Sequence, residues 1–312
     1  MRQKTLSALI FGSAVAVLLS AVPASAQATR TFVSGVGNDA DPCSRTAPCR
    51  TFAGAISKTF INGEINCLDP GGYGSVTIAK SITIDCLTTL GSTLSSGTNG
   101  VIVNIPVNAN DPHRSVRLRG ILINGTGPSG TIGTRTGLDG IRVLQANSVF
   151  VESSVIAEFS QQGIEVAASA GVNLTLDDVV IRNTNVAGVT MATTAGQVVA
   201  SFNNVRIDGT PLALSAANRV RANIRNVVLS HNATGIQTSG TDNIVNADNV
   251  MVSFATTGVL TNAGSTVRLS NSVITQNSTG LSASGGSIVS MSGNSVTGNT
   301  ADGAFTSTVP KL

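Results

Sequence analysis

From Gly140 onward, apolar and polar positions alternate in short bursts that recur with a long period. The chain divides into lines that open at Gly140, Gly163, Gly188, Ala213, Gly235, Gly258 and Gly280, with Gly303 starting a truncated eighth. The steps are 23, 25, 25, 22, 23, 22 and 23 residues. Each line holds three strand-like pieces: one after the opening residue, one in the middle such as Leu174 to Leu176, and one near the end such as Val179 to Ile181. Pieces this short cannot form a sheet alone and need identical neighbours above and below. The pattern therefore predicts an all-β right-handed parallel β-helix of three-strand coils, 22 to 25 residues each, with the hand taken from the general preference of parallel crossovers.

Stacking turns a linear pattern into columns. Asp178, Asn204, Asn226, Asn249 and Asn271 each precede a strand and should form a structural ladder at a recurrent bend, where Asn tolerates the left-handed conformation. Ile181, Ile207, Leu229, Val252, Ile274 and Val296 should form an aliphatic ladder in the core. Their burial, at about 1.5 to 3 kcal/mol per side chain, is the main stabilising contribution.

Upstream the coils are less regular but continue through Ile65–Leu68, Val76–Ile78, Ile82–Cys86, Val101–Ile105 and Val116–Ile123. Phe52, Ala55, Ile56 and Phe60 fall on one face at helical spacing, with Thr51 as N-cap, so a short helix should plug the first coil. The expected organisation is an export signal over 1–26, a cap with the helix over 27–63, the β-helix over 64–305 and a tail over 306–312. The signal rests on Arg2 and Lys4 before an apolar run from Leu6 to Val22, then Ala24-Ser25-Ala26. A secreted, periplasmic or extracellular product with no membrane span after signal removal is expected.

Export gives the cysteines their meaning. Cys43, Cys49, Cys67 and Cys86 are an even set that allows three pairings. The favoured pairs are Cys43 with Cys49, closing a short loop, and Cys67 with Cys86, 19 residues apart and close to one coil. Zinc is the alternative, but the spacing fits none of its usual ligand patterns. Without Arg2 and Lys4, 17 of the 19 basic residues face 16 acidic ones, so nucleic acid is not an expected partner. Aromatic residues are only 3% of the chain, with no Trp, which leaves few rings for gripping a sugar.

The recurrence of an aliphatic residue, then Asn, then Gly-aliphatic, as in Ile274, Asn277, Gly280 and Leu281, resembles the parallel β-helix repeat family of pectin-lyase-like proteins. The segment TFVSGVGNDADPCSRTAPCRTFAGAIS resembles the opening of many secreted β-helix proteins. The resemblance covers most of the chain but identifies a scaffold shared by many activities. Lyases of the family need clustered carboxylates to hold calcium and an Arg or Lys to take a proton; hydrolases need two or three close Asp residues. Asp177-Asp178 is adjacent here, yet no Asn-Thr-Asp, His-Gly or Arg-Ile-Lys segment accompanies it.

Stacking supplies the candidate sites. Arg182 and Asp208 share a column, with Glu158 and His231 one position along, so these four could line one edge as a catalytic group. The plainer account is a surface Arg182–Asp208 ion pair worth at most about 1 kcal/mol. Glu152 above Asp177 is a candidate calcium pair, with Asn203 and Arg225 continuing its column. Arg206, Arg219, Arg221 and Arg225 form a local basic cluster suited to an anionic glycan, and Phe254 is expected to face outward. Asn-x-Thr sequons occur at Asn124, Asn173, Asn232 and Asn277, and three of them fall inside the regular coils, where the repeat explains them without glycosylation. The expected role is non-catalytic binding or adhesion to an extracellular polysaccharide. A calcium-assisted lyase acting on acidic glycans is the competing reading, and a self-assembling structural protein, through a weakly covered carboxyl end, is the third.

Overall fold

The computed structural model describes residues 27–126 and 134–309. The expected export signal lies outside the described residues, as do Pro310 and Lys311. Two parallel sheets wind around one core. A nine-stranded sheet takes one strand from each coil, and a 17-stranded sheet takes the rest. Nine coils at about 4.8 Å make a rod on the order of 40 Å long.

The register follows the repeat. In the nine-stranded sheet Ile141, Ile164, Val189, Leu214, Ile236, Val259 and Leu281 lie atop one another. The expected second and third strands of a coil run on as one bent strand, such as Val172–Arg182. The bend is a single left-handed residue: Asp178, Asn204, Asn226, Asn249 and Asn271 all have φ between 49° and 56°. It resets the alternation, so Asp177 and Asp178 both face out while Leu176 and Val179 both face in. A left-handed residue with an ordinary side chain costs about 1–2 kcal/mol, which Asn and Asp reduce by bonding locally.

The Asn ladder is less uniform than its column suggests. Asn204 donates to Asp178 Oδ1 (2.9 Å) and Asn249 to Asn226 Oδ1 (2.7 Å). Asn226 instead reaches Asn203 Oδ1 (3.0 Å), and Asn271 reaches Asp248 Oδ1 (2.8 Å), because the neighbouring outward residue offers an equally near acceptor. A second, buried ladder lies at the next turn. Asn232 Oδ1 accepts the Thr210 N–H at 3.0 Å while its amide donates to the Ile207 carbonyl, and Asn277 treats Ala255 and Val252 alike. Both side chains are buried, so these two sequons serve the backbone.

Ile181, Ile207, Leu229, Val252 and Ile274 are fully buried. Val296, in the last coil, is only partly covered. Against this ladder sit the coil-opening glycines: a Cβ on Gly163 or Gly188 would stand 2.4 Å from Ile181 or Ile207 Cγ2.

At the amino end, Ala28–Val33 pairs with Thr59–Cys67, so the stack begins inside the expected cap. The helix spans Phe52–Lys58; Thr51 caps it by accepting the Gly54 N–H at 2.9 Å. Phe52 and Ala55 are buried, but Phe60 is 53% exposed. The helix ends before it, and Phe60 lies in the following strand, where the periodicity of four no longer applies. The disulfides are Cys43–Cys49 and Cys67–Cys86, the second joining adjacent coils one residue beyond the Asn66–Asp85 register pair. At the carboxyl end, Ser307–Thr308 pairs with Val289–Ser290, which places part of the expected tail in the stack.

Candidate functional site

Upstream of the bend, outward residues of the 17-stranded sheet form one continuous face. A single column runs Asn66, Asp85, Arg119, Glu152, Asp177, Asn203, Arg225, Asp248, Ser270. Two residues upstream, a parallel column runs Thr83, Arg117, Phe150, Thr175, Ser201, Asn223, Asn246, Arg268. Alternation along each strand turns all of these away from the core. They are polar or charged with the exception of Phe150, over whose ring the Arg117 guanidinium lies 5.3 Å from the centroid.

The face is hollowed between the two columns. An open trough of about 670 Å³ crosses the coils of Ser201, Asn223, Asn246 and Arg268, with Met291 also in its lining. Its amides are chained along the axis: Asn246 donates to Asn223 Oδ1 at 2.8 Å, Asn203 to Asp177 Oδ1 at 2.8 Å, and Arg268 to Asn246 Oδ1 at 3.3 Å. The Asn223 amide donates no hydrogen bond to another described residue. Arg225, with its side chain 70% exposed, faces Asp248 at 3.6 Å. The trough thus presents donors in excess and a ladder of planar amides at coil spacing. Two smaller hollows share the face, one of about 230 Å³ beside Phe150 and Arg117 and one of about 440 Å³ beside Phe32, Arg45 and Arg119.

The sequence-derived residues are distributed as follows. Glu152 and Asp177 are register neighbours, but Glu152 is held by Arg119 at 3.0 Å and Arg117 at 3.4 Å, and Asp177 accepts from Asn203. Guanidinium groups occupy the cationic role beside Glu152. Among the described residues, no group of three or more His, Cys, Asp or Glu is gathered as metal ligands.

Glu158, Arg182, Asp208 and His231 do follow one edge, but they do not converge. Glu158 is engaged by Arg135 at 2.8 Å and Asn183 at 2.7 Å. Arg182 and Asp208 are Cα partners, yet the expected ion pair between them does not form. Asp208 meets Arg206, on its own strand, at 3.3 Å and His231 Nδ1 at 3.2 Å. Three coils, about 14 Å, separate Glu158 from His231. The basic cluster also divides: Arg225 lines the trough, Arg221 pairs with Asp242, and Arg206 lies beyond the bend.

A cluster missed in the sequence sits on the nine-stranded sheet. Arg142 and Glu165 are register partners 3.0 Å apart, and Arg142 lies 3.7 Å from the fully buried Asp139. Burial pushes the Asp139 carboxyl up. Burial, then the Asp139 charge, pushes Glu165 up, with Arg142 opposing both. The signal was present in the lines GIRV and GIEV, which place opposite charges at one position.

No protein-family model matches this chain, and no curated protein matches it. Among solved structures, pectate lyase Pel9A superposes with a TM-score of 0.53 over 86% of this chain and 69% of its own, at 13% identity. The chain has the right-handed, pectin-lyase-like parallel β-helix fold. A GH136 lacto-N-biosidase from Eubacterium ramulus aligns at a TM-score of 0.35 and 10% identity, over 90% of this chain and 67% of that one.

Proposed function

We propose that this β-helix is an exported protein that binds an acidic polysaccharide along the outward face of its 17-stranded sheet. The observation that carries the reading is the trough over Ser201, Asn223, Asn246 and Arg268. It is concave, donor-rich, flanked by Arg225, and repeats its amides at the coil spacing. A polymer of carboxylated sugars laid parallel to the axis would offer acceptors at regular intervals to those donors. The likeness to a pectate lyase is consistent with a glycan ligand but supplies only the scaffold.

The test is equilibrium binding of the purified protein to polygalacturonate and alginate, with neutral dextran as control. Binding to the polyuronates, weakened at least about tenfold by Arg225→Glu with Arg268→Glu and by added salt, is the expected result. Equal retention of dextran, or indifference to the double substitution, would refute the reading. Cleavage is the second reading, favoured by the cluster in which Arg142 lies within 3.7 Å of Asp139 and 3.0 Å of Glu165, with burial pushing both carboxyls up. Chain shortening of a glycan that disappears in Glu165→Gln would establish it.

A further inference from the structure

At the second bend of each coil from Gly140 onward, a left-handed residue occurs in the order Glu158, Asn183, Gly209, His231, Phe254, Gln276, Gly298. Backbone chemistry selects Gly or Asn at such a position, and three of the seven are Gly or Asn. Phe254 departs furthest from that preference. It has φ 54° and is 52% exposed, so it carries the backbone penalty without burying its ring. Its ring stacks on His231, which has the same φ, at a centroid distance of 4.9 Å and an interplanar angle of 15°. Two exposed rings thus form one face-to-face stack across two adjacent coils.

Polar groups surround the His231 end of that stack. His231 Nδ1 lies 3.2 Å from Asp208 Oδ1 and 3.0 Å from Ser230 Oγ, which leaves Nε2 without a described partner. Asp208 Oδ2 accepts from Arg206 at 3.3 Å. An exposed aromatic stack bordered at its His231 end by a carboxylate, a hydroxyl and a guanidinium suits a pyranose ring, whose C–H groups pack on aromatic carbon while its edge hydroxyls both donate and accept.

We infer that His231 and Phe254, bordered by Asp208 and Arg206, form a second saccharide site, separate from the trough and specific for a neutral hexopyranose. The Asp208 carboxylate disfavours a uronate here, whereas the trough favours one. The site lies beyond the bend from Asn226 and shares no side chain with the trough lining.

The chain has only two histidines, so the His231 ring protons are read directly by NMR, with His113 as internal reference. Methyl β-glucopyranoside, methyl β-galactopyranoside and methyl α-mannopyranoside are titrated into the full protein. At least one is expected to shift the His231 ring resonances saturably, with no matching shift at His113. Phe254→Gly should abolish that shift while preserving the melting temperature, since glycine suits the left-handed position. Asp208→Asn should weaken it, and Arg225→Glu with Arg268→Glu should leave it intact. No saturable His231 shift with any of the three sugars, or an undiminished shift in a folded Phe254→Gly protein, would overturn the inference. A shift that survives in the double trough variant while polyuronate binding is lost would show the two sites to be independent.

Discussion

A single pairing between coil-opening and ladder residues explains one irregularity of the repeat. Gly163, Gly188, Gly235 and Gly258 open coils whose ladder residues are Ile181, Ile207, Val252 and Ile274, and a Cβ on any of these glycines would meet the Cγ of that β-branched side chain within 2.7 Å. Ala213 is the exception, and its coil carries Leu229, which has no branch at Cβ. Gly188→Ala should therefore destabilise the fold by about 1–3 kcal/mol through overpacking. Ile207→Leu should recover part of that loss when combined with it. Urea unfolding of the two single variants and the double variant checks this, and strictly additive losses would contradict it. Glu165 gives a second residue-scale expectation. Its folded-state value is raised, so between the ordinary carboxylate range and that raised value the folded chain holds more protons than the unfolded one. Stability then falls as pH rises through that window. Glu165→Gln should match the parent below the carboxylate range and melt higher at neutral pH; thermal melts at both pH values would show a constant difference if the idea is wrong.

The cap and the first coils are the elements least supported by repetition. Their loops are irregular, and the Cys67–Cys86 bond ties adjacent coils across 19 residues. Replacing both cysteines with Ala should cost about 3 kcal/mol by the loop-entropy relation. A denaturant midpoint unchanged by the double replacement would mean that backbone pairing alone holds that end. Much of this level was legible in the sequence: the coil starts, the left-handed Asn column, Thr51 as N-cap and both disulfides. What misled was the assumption that helical periodicity extends as far as an apolar residue continues it, which assigned Phe60 to the helix. Side-chain pairing was the harder level. Register alone put Arg182 beside Asp208, but Arg206 and His231 reach that carboxylate instead, a choice set by side-chain direction at the bend.

Across the whole molecule, the two kinds of column divide the work. Inward columns of Ile, Val and Leu hold nine coils together, while outward columns on the same strands carry Asn, Arg, Asp and Ser with little effect on the core. The trough was not legible as such, because its residues are ordinary surface types and only their vertical alignment makes a concave, donor-rich track. That track is the central claim, and ligand length tests it most directly. If a polyuronate lies along the axis with about one sugar per 4.8 Å coil, affinity measured by calorimetry should climb from the mono- to about the tetragalacturonate, since the trough crosses four coils, and then level off. Affinity independent of chain length, or no heat of binding with any oligomer, would contradict it.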